Sequence, residues 1–371
     1  MKIIIRSLGL GKLARGLRYL GFFCFDFFGS LIFIFIPKKR NSIPVKKILL
    51  IRLDRIGDII LSTPAIRSLK RKYPQAQIHL LINEYIKDLV VNNPNIDKLL
   101  IYNKDELDND YDIAVAFHPG LLENHLTFKS GASLRVGFKG RGGSFFLSEK
   151  IADDRNKRIR HEVISNLEVV SRIGCSMADK DLEVSITDEG ERFSEKFFKE
   201  NALDSKNKTV VIHPGARQEY IRWRKSGFAQ LADRLIQELG LKVIISASKD
   251  EEGLVKEITG LMNKKPIVVI GIRLTELVSL IKRSDLFIGN STGPMHIAAA
   301  LKKPVVAIFG SKHPLDSFQE WGPYGTNSIV VTKNDKCLKC HPSDCRTFEC
   351  MENVMVDDVW QAVQKLLELE L

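Results

Sequence analysis

Short, continuously apolar runs alternate with longer stretches of mixed polarity along most of the chain. KILLIR (47–52), IHLLI (78–82), LLIY (99–102) and IAVAF (113–117) are rich in leucine and β-branched residues and have strand length. Continuous rather than alternating apolarity marks strands covered on both faces, as in a parallel sheet. The stretches between them carry helical periodicity. DIILSTPAIRSLKRKYP (58–74) places Ile59, Ile60, Ala65, Ile66 and Leu69 on one face and bases on the other. HEVISNLEVVSRIG (161–174) is amphipathic and ends on Gly174, a helix-stop residue.

The rhythm restarts at TVVIHPGA (209–216). It continues through KVIISAS (242–248), PIVVIGI (266–272), LFIGN (286–290) and PVVAIFG (304–310), with helical patterns between. Two successive β-α-β series predict an α/β protein of two Rossmann-like domains with parallel sheets. A length of 371 residues suits two such domains. The expected boundaries are a basic, hydrophobic segment at 1–43, a first domain at 44–185, a linker at 186–207, a second domain at 208–355 and a closing helix at 356–371. No short-period repeat or low-complexity tract interrupts this order.

Two strand-to-helix turns carry the candidate chemistry. NSTGPMH follows the strand LFIG, with Pro294 in the first helical turn, where a missing N–H costs nothing. Backbone N–H groups at a helix N-terminus, with Ser291, Thr292 and Gly293 in the turn and His296 close behind, suit a phosphate or diphosphate. The same residues also fit an ordinary βα loop with a threonine cap and a core-facing histidine. The other turn, LDRIGD, leaves KILLIR. Gly57 allows close backbone approach there. Asp58 is either a helix N-cap or a carboxylate base at the carboxyl end of a parallel strand, where open α/β sheets place their sites. The absence of G-x-G-x-x-G argues against a dinucleotide enzyme such as an epimerase or dehydrogenase.

These stretches carry a resemblance. IRLDRIGDIILSTPAIRSLKRKYPQAQI (51–78), VVIHPGA (210–216), RWRKSGFAQLADRL (222–235) and IGNSTGPMHIAAALKKPVVAIFG (288–310), in this order, resemble glycosyltransferase family 9, the heptosyltransferases of the GT-B fold. The resemblance implies two Rossmann-like domains facing a central cleft, an acceptor side first and a nucleotide-sugar side second. It implies inverting transfer of a heptose or related sugar, ADP-heptose first among the donors, to a lipopolysaccharide-core or other lipid-linked glycan. Asp58 matches the family's catalytic base, and Thr292, Gly293 and His296 its donor turn. Ser291 stands where relatives often have Asp, and Ile221 where many have Lys. Arg222, Arg217 or Arg224 is then expected to hold the donor phosphates, since a guanidinium can bind them bidentately. Glu251 is a candidate for the ribose, or else a solvated helix start. Gly57, Lys139 and Arg141 are candidates for the acceptor, Lys139 and Arg141 otherwise being a solvated basic loop. No Asp-x-Asp stands at the expected donor site, so no cofactor is expected for catalysis. The alternatives are a membrane-attached nucleotide-sugar-binding protein without transferase activity, or a transferase using another hexose donor.

Charge changes the picture at one end only. The formal net charge is +11. Ten Lys/Arg against Asp26 alone put +9 of this in residues 1–47, so no nucleic-acid-binding face is implied. LRYLGFFCFDFFGSLIFIFI (17–36) is long enough to span a bilayer, and its basic flanks fit equally a helix lying on an anionic surface. A helix packed on the protein itself is the other reading. The expectation is attachment to the cytoplasmic face of the bacterial inner membrane. Cys337, Cys340, Cys345 and Cys350 form C-x2-C-x4-C-x4-C, which suggests a structural metal, zinc before an iron–sulfur cluster, with free thiols or disulfides as the alternative.

Overall fold

The structure is a computed structural model that describes residues 21–22, 24–31, 44–154, 160–204, 208–310, 316–333 and 348–368. The chain divides into two units, Met1–Lys180 and Asp181–Leu371. In the first unit the order is β1 (Lys47–Arg52), α1 (Ile56–Lys72), β2 (Gln77–Ile82), β3 (Lys98–Ile101), β4 (Ile113–Ala116), α2 (Leu121–Lys129), β5 (Leu134–Lys139), β6 (Glu149–Ala152) and α3 (Glu162–Ser171). All the strand pairs are parallel, in the order β3-β2-β1-β4-β5-β6. This is the doubly wound order, and it reverses between β1 and β4. Ile48–Ile51 and Ile113–Ala116 are buried on both faces, as their continuous apolarity predicts.

Helix α1 shows how local sequence tolerates a helix breaker. Pro64 removes the N–H that would bond Ile60 O, and the Thr63 hydroxyl donates to that carbonyl at 2.7 Å instead. The helix therefore runs through the proline and packs along α3.

The second unit runs α4 (Asp188–Glu200), β7 (Thr209–His213), α5 (Lys225–Leu239), β8 (Lys242–Ala247), α6 (Glu252–Gly260), β9 (Ile267–Ile270), α7 (Leu274–Arg283), β10 (Leu286–Asn290), α8 (Gly293–Ala300), β11 (Val305–Ile308), α9 (Phe318–Trp321), β12 (Ser328–Val331), α10 (Glu349–Glu352) and α11 (Val356–Glu368). Its parallel sheet has the order β12-β11-β10-β7-β8-β9, the same doubly wound arrangement with its reversal between β7 and β10. Val359, Trp360, Val363 and Leu366 of α11 enter the core with Phe228 and Trp223. The stretch 186–207, expected as a linker, carries α4. Thr187 caps it by accepting the Gly190 N–H, and it packs on α7 within the second unit.

The apolar run at 17–36 is the other difference. Only 21–22 and 24–31 of it are described, as helix, and no helix among the described residues is long and apolar enough to cross a membrane. Within this run, the Asp26 carboxylate accepts the Ser144 backbone N–H at 2.9 Å, which binds this part of the helix to the first unit along one edge.

Candidate active site

The first unit concentrates charge at its topological switch point. The buried strand β1 ends in Arg52, which is 1% exposed. Its Nη2 donates to Asp58 Oδ1 at 3.1 Å and to Glu162 Oε1 at 3.0 Å, and its Nε lies 3.4 Å from Asp54 Oδ2. Glu162, at the start of α3, is fully buried. One guanidinium thus faces three carboxylates away from bulk water, where a charge persists only if it is paired. Asp58 lies in the first turn of α1, not at its N-cap, which is Arg55. Its Oδ2 accepts the Arg55 backbone N–H at 3.1 Å. Both oxygens are anchored, so the carboxylate has a fixed direction. Burial pushes the Asp58 carboxyl above its ordinary value. Arg52 opposes that rise and Asp54 adds to it.

His118 leaves β4 beside this group. Its Nδ1 is 3.3 Å from Glu123 Oε1 and its Nε2 3.7 Å from Asp54 Oδ1. Burial would raise Glu123, but the hydrogen bond and charge of His118 hold it below the usual carboxylate range. Gly120 makes room, because a Cβ there would run into the Glu123 carboxylate. Ligand atoms of Asp54, His118 and Glu123 lie within 4.8 Å of one another, a spacing a divalent cation could use. Arg52 already supplies positive charge beside Asp54.

The second unit builds a different site at its own switch point. Asn290, fully buried at the end of β10, accepts the Trp223 N–H at 3.0 Å and donates to Pro214 O at 2.8 Å. One amide therefore locks the loop after β7 to the exit of β10. Ser291, Thr292 and Gly293 follow, half-buried, and α8 begins with Pro294 in its first turn. Thr292 does not cap the helix with its side chain; Pro294 has no N–H and the Met295 N–H bonds Thr292 O at 3.1 Å, so Gly293 supplies the first-turn N–H that can face a ligand. His296 is buried on the same helix.

Glu251 is not a solvated helix start. Its Oε2 accepts both the N–H and the hydroxyl of Ser248, and its carboxylate occupies the space a Cβ on Gly215 would need. It lies 3.9 Å from His213 Nε2. Burial lowers the His213 pKa despite that carboxylate, so His213 is neutral at pH 7. Of the three arginines, Arg222 donates to Ala216 O at 2.6 Å and keeps a buried Nε without a hydrogen bond. Arg224 is braced on Glu352 O, and Arg217 is exposed.

The structure thus groups Asp58 and Gly57 in the first unit, and Ser291, Thr292, Gly293, His296, Glu251, Arg217 and Arg222 around the switch point of the second. Lys139, the last residue of β5, and Arg141, just past it, stand apart, with Arg141 Nε 3.3 Å from Asp153. Cys337, Cys340 and Cys345 lie outside the described residues, whereas Cys350 is buried in α10. Sequence reasoning missed Arg52, Asp54, Glu162, His118 and Glu123. A basic residue ending a buried strand was the available signal for Arg52. The histidines of the similar stretches AFHPG (116–120) and VIHPGA (211–216) stand at the two switch points, but on strands of different rank, so the likeness is not an internal repeat.

Comparison with known proteins gives a consistent result. The sequence model of Glycosyltransferase family 9 (heptosyltransferase) matches residues 104–350. Lipopolysaccharide heptosyltransferase 3 of Escherichia coli is 29% identical over 338 residues, covering 84% of this chain and 95% of that one. A glycosyl transferase family 9 structure from Veillonella parvula superposes with a TM-score of 0.78 at 24% identity, over 90% of this chain and all of that one. The E. coli ADP-heptose lps heptosyltransferase II gives 0.72 at 20% identity, over 87% and 99%.

Proposed function

The chain belongs to glycosyltransferase family 9 and is a glycosyltransferase of lipopolysaccharide biosynthesis; from that premise we propose that it moves a heptose with inversion from ADP-heptose to a lipopolysaccharide-core acceptor, with Asp58 as general base. The observation that carries the reading is the Asp58 carboxylate, anchored through both oxygens at the switch point of the first unit. Inversion requires that the acceptor hydroxyl lose its proton to a base while its oxygen attacks the anomeric carbon. The bond from that carbon to the diphosphate breaks on the opposite face, and ADP departs with the electron pair. Asp58 takes the proton. Its raised pKa makes it a stronger base than an ordinary carboxylate. The second unit supplies the groups that bind the leaving diphosphate: the α8 N-terminus, with Arg222 and Arg217. Glu251 is placed to accept from the ribose hydroxyls. Gly57, Lys139 and Arg141 are assigned to the acceptor.

The donor is tested by thermal stabilisation. A ligand at about 100 times its Kd adds about 2.7 kcal/mol to the folded state. ADP-heptose is expected to raise the midpoint, and UDP- or GDP-hexoses are not. A shift with a UDP-hexose and none with ADP-heptose would favour the other-hexose reading. Arg222→Ala and His296→Ala are each expected to weaken ADP binding by about tenfold, about 1.4 kcal/mol, in calorimetry. Unchanged affinity in Arg222→Ala would move the phosphate contact to Arg217.

Two finer assignments complete the reading. Residues 1–43 attach the enzyme to the inner-membrane surface, where a lipid-linked acceptor and a cytosolic donor meet. The four cysteines hold a structural metal, and Cys350 is buried where such a site would join the second core. Elemental analysis of the purified chain is expected to find about one zinc, lost in Cys340→Ser. A metal-free, fully folded protein would return these residues to plain thiols.

A further inference from the structure

The described part of the N-terminal helix is inside out. Phe22, Asp26, Gly29 and Ser30 are its partly buried positions, spaced along one face. Phe25, Phe27, Phe28 and Leu31 are exposed, Phe28 to 63%. The polar edge is the one that meets protein. Asp26 accepts the Ser144 N–H at 2.9 Å, and Ser30 donates to Asp26 O at 2.7 Å. Gly29 lets the Phe145 ring approach so closely that a Cβ would clash with it. A helix that merely packs on a water-soluble domain shows the reverse polarity. Further apolar side chains are exposed on the first unit near the inward Phe22. A side chain at Gly142 would touch both Phe22 and Leu121, and Leu121 and Leu122 are themselves exposed. A contiguous patch of this kind needs a partner, unlike isolated surface apolar residues.

Charge identifies the partner. Residues 1–47 carry ten bases and one acid, and that acid, Asp26, is turned toward the protein. An aromatic face flanked only by bases complements an anionic lipid surface. We propose that residues 24–31 lie in the plane of an anionic bilayer, with Phe27, Phe28 and Leu31 in the lipid, while Asp26, Gly29 and the Phe25 ring, whose centroid is 5.4 Å from that of Phe145, keep the other edge docked on the Ser144–Phe145 turn. This deepens the membrane assignment made above and rests on it. The docked edge at Asp26, in the middle of the apolar run, favours an in-plane helix over a spanning one. The docking has a positional consequence. A cavity of about 560 Å³ separates Asp26 and Phe27 from Lys139 and Asp153, so the loop assigned to the acceptor is held at the lipid surface.

The test places a tryptophan at each face of the full-length protein, Phe28→Trp outward and Phe22→Trp inward. Each is titrated with vesicles of phosphatidylglycerol and phosphatidylcholine, or of phosphatidylcholine alone, with and without brominated acyl chains. With anionic vesicles, the tryptophan at 28 is expected to shift to the blue and be quenched by bromine several-fold more than that at 22. High salt should weaken the effect. Phe27→Asp/Phe28→Asp should lower vesicle affinity by roughly tenfold or more. Equal quenching at 22 and 28 would overturn the docked, in-plane arrangement. No quenching at 28, or vesicle-independent self-association abolished by the double aspartate variant, would overturn the lipid contact. No nucleotide-sugar enters the assay, so its failure is separable from failure of the transferase reading.

Discussion

Asp58→Asn is expected to lower kcat by roughly 10²–10⁴-fold, the usual contribution of a positioned general base, with donor affinity unchanged. The amide keeps the shape of the carboxylate and cannot take a proton. It should not cost stability at neutral pH. The folded pKa of Asp58 lies above its ordinary 3.8 because burial outweighs the help of Arg52. A group raised in this way contributes stability below the unfolded pKa and loses it as pH rises through the folded pKa. Above its folded pKa the ionised carboxylate is therefore a net cost. Asp58→Asn should melt no lower than the wild type there, and any gain should vanish below about pH 4. A variant keeping more than about half of the wild-type kcat would remove Asp58 from the base role.

Arg52→Met is expected to destabilise the protein by about 3–5 kcal/mol, the cost of stripping the partner from buried charge. Glu162 is fully buried and Asp54 and Asp58 are close, so three carboxylates would lose their one guanidinium. The Asp58 pKa, which Arg52 holds down against burial, should rise further. Since Asp58 acts deprotonated, the acid limb of the kcat profile should move to higher pH, a change that simple loosening of the core would not produce. Urea unfolding and a pH–rate profile read the two effects. Arg52→Met/Glu162→Gln should recover part of the stability, because it removes one of the stranded charges. An unchanged acid limb in Arg52→Met would show that Arg52 holds the fold and not the base.

How much of this was legible in the sequence depended on whether the signal was local. The strands were readable because double-sided burial writes continuous apolar runs, as in Ile48–Ile51 and Leu286–Ile288. Asp58 and the Thr292 turn were readable because each lies within a few residues of a strand end. The Arg52–Glu162 pair was not, because 110 residues separate its members and only the packing of α3 on α1 brings them together. Which of the two readings of Glu251 holds was not legible for a similar reason: the glycine its carboxylate covers, Gly215, sits on another strand's exit loop. The segment 188–200 looked like linker because of its charge, yet those charges pair with α7, as in Arg283 with Glu195 at 2.8 Å. The hydrophobic run at 17–36 left a span and an in-plane helix open, since composition does not show which edge Asp26 occupies.

The most direct test of the central claim is the stereochemistry of the product. The purified protein, ADP-heptose and a heptose-accepting lipopolysaccharide core are incubated together, and the new glycoside is examined by NMR. The account predicts one ADP released per glycosidic bond formed and an anomeric configuration opposite to that of the donor, with no product from Asp58→Asn. Retention of the donor configuration, or ADP release without a new glycoside, would contradict it.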